Sequence, residues 1–184
     1  AMACSSTLDT IITGFKEIKH GESKLAFCGG VDSLIGEMVV EVFRLMRTLA
    51  QHAPDKTITN LCRPFCTDKT GTVLSEGGGM MVLEELERAK DRGAEARILA
   101  EVLAGNQTAD AFNGLKPSSE GLERAIIKTL KEAKLKAEDI SFIQVHGTGT
   151  EENDKCEFDV LNKVFGEHLV NIFITANKSR LGHM

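Results

Sequence analysis

Amphipathic stretches of helix length alternate with short apolar runs along most of this chain, and glycine marks many of the changeovers. Elements that alternate in this way must stack helices on a sheet, so the chain is predicted to be α/β with a central layered sheet. From Cys4 onward, Leu8, Ile11, Ile12, Phe15 and Ile18 keep helical spacing and stop at His20-Gly21. Residues 24–28 read as a short strand halted by Gly29-Gly30, and Val39 to Met46 predict a helix over about 34–49. Residues 51–72, with Pro54 and Pro64, read as a long loop of the kind that is usually functional. A buried strand is expected over 80–86, a short helix over 84–92 ending at Gly93, and a strand over 96–104. An irregular stretch with Gly105, Gly114 and Pro117 follows, then a helix capped by Ser118-Ser119 and running through Ala133. Strands at 140–145 and 170–175 flank a helix at 154–165, whose Asp154 and Glu157 have capping-box spacing.

The 184 residues are enough for one domain with a real core, and no linker or repeat divides them. A net charge of −5 without a Lys/Arg block gives no footing for nucleic acid or an anionic membrane. The longest apolar runs, such as 80–83 and 172–175, are too short to span a bilayer. Five cysteines, an odd number, do not form a secreted disulfide framework, so a reducing cytosol or organelle matrix fits. Cys62 and Cys66 have the spacing of half a metal site, but no second ligand pair follows, and no metal is assigned.

Four residues stand out as carriers of chemistry: Cys4, His146, Lys178 and His183. A thiol at a helix start meets unpaired N–H groups that favour thiolate, and Ala3, Ser5 and Ser6 leave room around it. A buried inert cysteine is nonetheless the commoner fate of a lone thiol, and position alone does not separate the two. His146 opens the turn His146-Gly147-Thr148-Gly149-Thr150 after a strand, where α/β folds gather ligands. Gly147 and Gly149 would let backbone approach a ligand, and Thr148 and Thr150 offer hydroxyls. Lys178 and His183 share a second loop after a strand, so both loops are placed to converge on one crevice. A turn histidine and a solvated lysine without function remain open at this level. Ser5, Ser118 and Ser119 lack the G-x-S-x-G elbow of a hydrolase, and Glu76-Gly77-Gly78-Gly79 lacks the lysine of a phosphate loop.

Taken in order, these motifs resemble the β-ketoacyl synthase (ketosynthase) family of the thiolase superfamily. The resemblance runs through Ala3-Cys4-Ser5-Ser6, Phe27-Cys28-Gly29-Gly30-Val31-Asp32, Arg63-Pro64-Phe65 and the segments 71–79 and 82–87. It continues in His146-Gly147-Thr148-Gly149-Thr150 with Asp154 and Glu157, and closes with Lys178-Ser179 and Gly182-His183. It implies a thiolase-like layered α-β-α-β-α architecture, here incomplete, with residues 1–184 forming a partial ketosynthase domain. It also implies decarboxylative Claisen condensation of an acyl thioester with malonyl-acyl carrier protein, in fatty-acid or polyketide synthesis. Cys4 would hold the acyl group as a thioester, and His146 and His183 would bind the malonyl thioester and stabilise its enolate. Lys178 would tune the site in partnership with Glu157, with Asp154 supporting, while Thr148 and Thr150 would line the phosphopantetheine channel. No cofactor of its own is implied, because substrates ride on the phosphopantetheine of an acyl carrier protein. That carrier and a second copy of the full-length chain are the expected partners. Thiolase proper would use a second cysteine, and the two histidines with Lys178 argue against it.

The sequence departs from the family pattern at Cys66, Thr70, Glu151 and Asn153, where an acid, an aspartate, a proline and a glycine are typical. The resemblance enters after much of a first half and stops within a second, which predicts unpaired sheet edges and weak or no activity for this chain alone. The alternative expectation is a non-catalytic ketosynthase remnant that binds carrier protein or a partner subunit.

Overall fold

The computed structural model describes residues 3–52, 57–110 and 117–184. The expectations placed on Pro54 and Gly114 lie outside the described residues. The chain forms two compact units, one of Ala1–Val31 with Gly78–Gln107 and the other of Asp32–Gly77 with Thr108–Met184.

In the first unit a 3₁₀ turn at Ala3–Ser5 leads into helix α1, Ser6–Lys19. The expected apolar stripe is present, with Ile12 and Gly14 buried, Asp9 in the first turn and Lys16 and Lys19 in the last. Strand β1, Leu25–Ser33, pairs with β2, Glu76–Glu84. Gly29 and Gly30 do not halt β1 as expected; the strand passes through them because they allow close approach. A Cβ on Gly29 would lie 2.2 Å from the Gly79 carbonyl oxygen, and one on Gly30 would lie 2.4 Å from Thr7 Oγ1. Likewise, a Cβ on Gly14 would meet Cys28 Sγ at 2.4 Å, so α1 lies against β1 through a missing side chain. β2 begins at Glu76 and is not the buried strand expected over 80–86, since Leu83 is buried while Met80, Met81 and Val82 are exposed. Helix α3, Leu86–Asp91, ends before Gly93 in a left-handed conformation, as expected. Residues 96–104 form no strand: a 3₁₀ turn occupies Glu95–Arg97, the rest has no regular ladder, and Leu99 stands in solvent. Apolar composition there is not accompanied by a paired strand among the described residues, which a strand requires.

In the second unit α2 spans only Glu37–Leu45, shorter than expected, and none of its residues is buried. Residues 57–72 are a loop containing one 3₁₀ turn, Ile58–Asn60, and a bridge from Leu49 to Thr72. Helix α4, Ser119–Ala133, packs on α5, Glu151–Phe165. Strand β3, Phe142–Gln144, runs parallel to β4, Phe173–Thr175, with Phe142 opposite Phe173. Val145, Leu161, Phe165 and Ile172 form the core beneath them, joined by Ile126 and Leu130 of α4. The expected 178–183 loop contains a short helix α6, Lys178–Leu181. No helix among the described residues is long and apolar enough to cross a membrane.

Candidate active site

The turn after β3 is built by two buried carboxylates of α5. Val145 closes the ladder by donating to the Thr175 carbonyl, and the chain then leaves the sheet with N–H groups that no strand satisfies. Glu157 takes two of them: His146 N donates to Oε1 and Gly147 N to Oε2, both at 2.7 Å. Asp154 takes one more, accepting from Gly149 N at 3.1 Å, and also accepts from Phe65 N of the 57–72 loop at 2.8 Å. Asp154 and Glu157 are 2% and 8% exposed, so each would be costly to bury without these donors.

The capping-box reading of this pair is thereby corrected. The N-cap of α5 is Thr150, and the carboxylates reach back to backbone N–H groups earlier in the chain instead of closing the helix end. Gly147 and Gly149 have positive φ, and their bare Cα atoms face protein: an added Cβ would meet Ala176 Cβ or the Gly71 carbonyl, each at 2.7 Å. The glycines therefore serve the fold of the turn at these points, where a ligand had been expected to need the space. Thr148 and Thr150 hydroxyls bond each other at 2.8 Å.

The second loop delivers Lys178 and His183 to the same turn. Lys178 Nζ donates to the His146 carbonyl at 2.6 Å and lies 3.2 Å from His146 Nδ1. An ammonium has only donors, so Nδ1 is the acceptor and the neutral ring carries its proton on Nε2. His183 is fixed by backbone, donating its N–H to Val73 O at 2.7 Å and accepting from Ser75 N at 2.8 Å. Gly182 reaches this bridge at φ +74. The two imidazoles meet edge to face with centroids 5.6 Å apart. Burial, then the Lys178 charge and His183, push His146 down to about 4. Burial and Lys178 lower His183 as well, against an opposing pull from Asp32. Both rings are neutral at pH 7, and each offers one N–H as a hydrogen-bond donor without carrying charge.

Thus His146, His183, Lys178, Thr148, Thr150, Asp154 and Glu157 all fall in one cluster of the second unit. Cys4 belongs to the first unit, exposed in the turn that precedes α1. Ala3 holds φ +48 there, and Ser6 Oγ donates to its carbonyl at 2.8 Å, which aims the turn at the helix start.

Three contributors have no assigned place in the site from sequence alone. Phe65, at φ +61, carries the N–H that Asp154 binds across 89 residues. Cys62 is a buried thiol raised chiefly by burial and set beside Thr72. Asn153, noted only as a departure from a family pattern, donates to Glu157 Oε2 at 2.9 Å and to Asp154 Oδ1 at 3.3 Å. Its i,i+4 spacing from Glu157 is the signal that the sequence offers.

Residues 2–89 match the family described as β-ketoacyl synthase, N-terminal domain, and residues 99–184 match β-ketoacyl synthase, C-terminal domain. Nodulation protein E of Rhizobium meliloti is 40% identical over 181 residues, covering 98% of this chain and 43% of that protein. The 3-oxoacyl-(acyl-carrier-protein) synthase 2 of Synechocystis is 35% identical over 184 residues, covering 99% of this chain and 43% of that protein. The solved ishigamide ketosynthase/chain length factor superposes with a TM-score of 0.86 at 36% identity, over 98% of this chain and 41% of that one. The chain therefore spans less than half the length of the relatives it matches.

Proposed function

Since this chain belongs to the β-ketoacyl synthase family and has its thiolase-type α/β fold, we propose that it serves decarboxylative Claisen condensation as a 3-oxoacyl-(acyl carrier protein) synthase of fatty-acid or polyketide synthesis. The observation that supports this most directly is the pair of neutral imidazoles, His146 and His183, with Lys178 fixing the tautomer of the first.

Cys4 attacks the carbonyl of an acyl thioester and expels the carrier's phosphopantetheine thiolate, leaving the acyl group on its sulfur. Cys4 directly precedes Ser5, the N-cap of α1, so its sulfur belongs to a helix start. A malonyl thioester then takes its place with its carbonyl oxygen toward the two imidazole N–H groups. Its carbon–carboxylate bond breaks, carbon dioxide leaves, and the electron pair moves onto the thioester oxygen as an enolate. Neutral donors suit this step: they stabilise charge that develops on oxygen without holding the malonyl carboxylate in an ion pair. The enolate carbon attacks the acyl carbonyl on Cys4, and the thiolate departs to give the 3-oxoacyl thioester. Lys178 keeps the His146 proton on Nε2, while Glu157 and Asp154 hold the turn rigid. Thr148 and Thr150 line the phosphopantetheine channel.

Acyl carrier protein is the partner this chemistry requires, in line with the name of the Synechocystis relative. A second ketosynthase-like subunit, such as another copy of the chain, fits the two-component ishigamide assembly. The working compartment is a reducing one, cytosol or organelle matrix, where Cys4 remains a thiol.

The test is to express the reading frame that contains this sequence and supply acyl-loaded and malonyl-loaded carrier protein. Product mass should show a 3-oxoacyl carrier. Cys4→Ala should lose the acyl-enzyme, whereas His146→Ala and His183→Ala should keep it and lose decarboxylation by at least 100-fold, as for removed oxyanion donors. Carrier binding without acyl-enzyme or product would favour the non-catalytic carrier-binding reading.

A further inference from the structure

Asn153 is half-buried on the first turn of α5, one residue before Asp154 and four before Glu157. A spacing of four puts its carboxamide beside Glu157 on the helix surface, and the contact with Asp154 is seen directly. Nδ2 lies 2.9 Å from Glu157 Oε2 and 3.3 Å from Asp154 Oδ1. Both partners are acceptors only, so the nitrogen must face them, and its two protons go one to each acid. The same two oxygens are those on which Gly147 N and Gly149 N rest. A single amide group therefore stands between two buried anions and fixes the oxygens that hold the turn carrying His146.

We propose that Asn153 is a positioning residue, a carboxamide clamp that locks Glu157 against the His146-Gly147 backbone. It acts through His146 and not on substrate. Glycine, which the family resemblance makes typical here, has no side-chain donor, so a glycine-bearing turn would depend on Glu157 and Asp154 without this cross-link. This inference rests on the reading of His146 as the imidazole that meets the malonyl carbonyl. Without the clamp, Glu157 gains rotamer freedom, and the Lys178–His146 contact is no longer held at one distance. Misplacement of that ring should slow the decarboxylation step while leaving the approach of carrier substrate intact.

The test uses Asn153→Leu, which matches asparagine in size but has no donor, and Asn153→Gln, which keeps the carboxamide. With histidine labelled by nitrogen-15, the native His146 should show a single tautomer protonated on Nε2. Asn153→Leu should show averaged nitrogens and about tenfold faster amide exchange at His146 and Gly147. In the condensation assay kcat should fall about tenfold with KM within twofold, and Asn153→Gln should recover part of both effects. A native-like tautomer and native exchange in Asn153→Leu would overturn the proposal, as would a fall in KM affinity alone. Should Asn153→Leu fail to fold, the unmodified protein still decides. Its Asn153 carboxamide protons must exchange slowly and show contacts to the Gly147 and Gly149 amides, and rapid exchange overturns the clamp. If the unmodified protein makes no 3-oxoacyl product while these signals hold, the function fails and the clamp stands as a structural device.

Discussion

The two compact units are built around their candidate groups by opposite means. The first presents Cys4 on an exposed turn and packs α1 and its strands through bare glycine Cα atoms, at Gly14, Gly29 and Gly30. The second buries His183, half-buries His146 beside a lysine, and holds the His146 turn with buried carboxylates. Under the proposed chemistry the thiol needs access, which an exposed turn before α1 supplies. Neutral imidazoles need to be kept from water, and burial brings an obligation to satisfy every N–H nearby. Damage should follow these lines: loss of polar partners in the second unit, and gain of bulk in the first.

Loss of a carboxylate is the most severe of these. Glu157→Ala strands the N–H groups of His146 and Gly147 and also leaves Asn153 with one acceptor fewer. At about 1–3 kcal/mol for each buried unsatisfied group, the expected cost is about 3–5 kcal/mol. Urea unfolding read by circular dichroism checks this, and Glu157→Gln, which retains one acceptor oxygen, should recover about half. A loss below about 1 kcal/mol would mean that the turn finds other partners and that the contrast between units is overstated.

Acid attacks the second unit in the same place. His146 titrates at about 4 in the folded chain against an ordinary 6.5. Above pH 6.5 the ring is neutral in both folded and unfolded states, and the contribution is complete. As pH falls toward 4 the unfolded chain binds the proton first, so stability drops, by about 3 kcal/mol at 1.36 kcal/mol per unit. Lowering of His183 acts in the same direction. Denaturant midpoints between pH 7.5 and 4 should show this fall, and His146→Gln should flatten most of it. An unchanged slope in that variant would place the acid sensitivity elsewhere.

The first unit should yield to added volume instead. Gly29→Ala drives a Cβ toward the Gly79 carbonyl oxygen at 2.2 Å and Met80 Cα at 2.9 Å, both backbone atoms that cannot rotate away. Overpacking of this kind costs about 1–3 kcal/mol. Gly79→Ala is the control, since an added Cβ there meets nothing within 4 Å and should cost no more than the ordinary price of changing a glycine. Equal losses at the two positions, by thermal unfolding, would show that close approach is not what Gly29 provides.

These contrasts also mark what sequence could and could not convey. Helix α1 was legible because Leu8, Ile11, Ile12, Phe15 and Ile18 declare one face within a single stretch of chain. The positions of His146, Lys178 and His183 after strands were legible from glycine-rich turns following apolar runs. Asp154 and Glu157 satisfy a local capping rule by their spacing, while their partners include Phe65, 89 residues from Asp154. Gly29-Gly30 looked like a stop because a glycine pair in a strand means either an end or a close neighbour, and only Gly79 and Thr7 decide which. Residues 96–104 had strand composition, but a strand exists through its ladder, and composition carries no information on the partner. Local periodicity was read well; dependence on distant backbone was not.

The mildest expected change in stability has the widest consequence for function. Cys4 is exposed and lies outside the buried set of its unit, so Cys4→Ala removes little packed surface and should shift unfolding by less than about 0.5 kcal/mol. Under the proposed chemistry the same change removes the only atom that holds the acyl group, and acyl-enzyme formation from acyl carrier protein should vanish. Decarboxylation depends on the second unit's imidazoles and should persist at a reduced rate when malonyl carrier protein is supplied alone. Mass spectrometry of the intact protein reads the first step, and release of labelled carbon dioxide reads the second. An acyl adduct that survives Cys4→Ala would move the nucleophile to another residue. Loss of both steps together would show that the thiol also shapes the imidazole site, and the division of labour drawn between the two units would have to be abandoned.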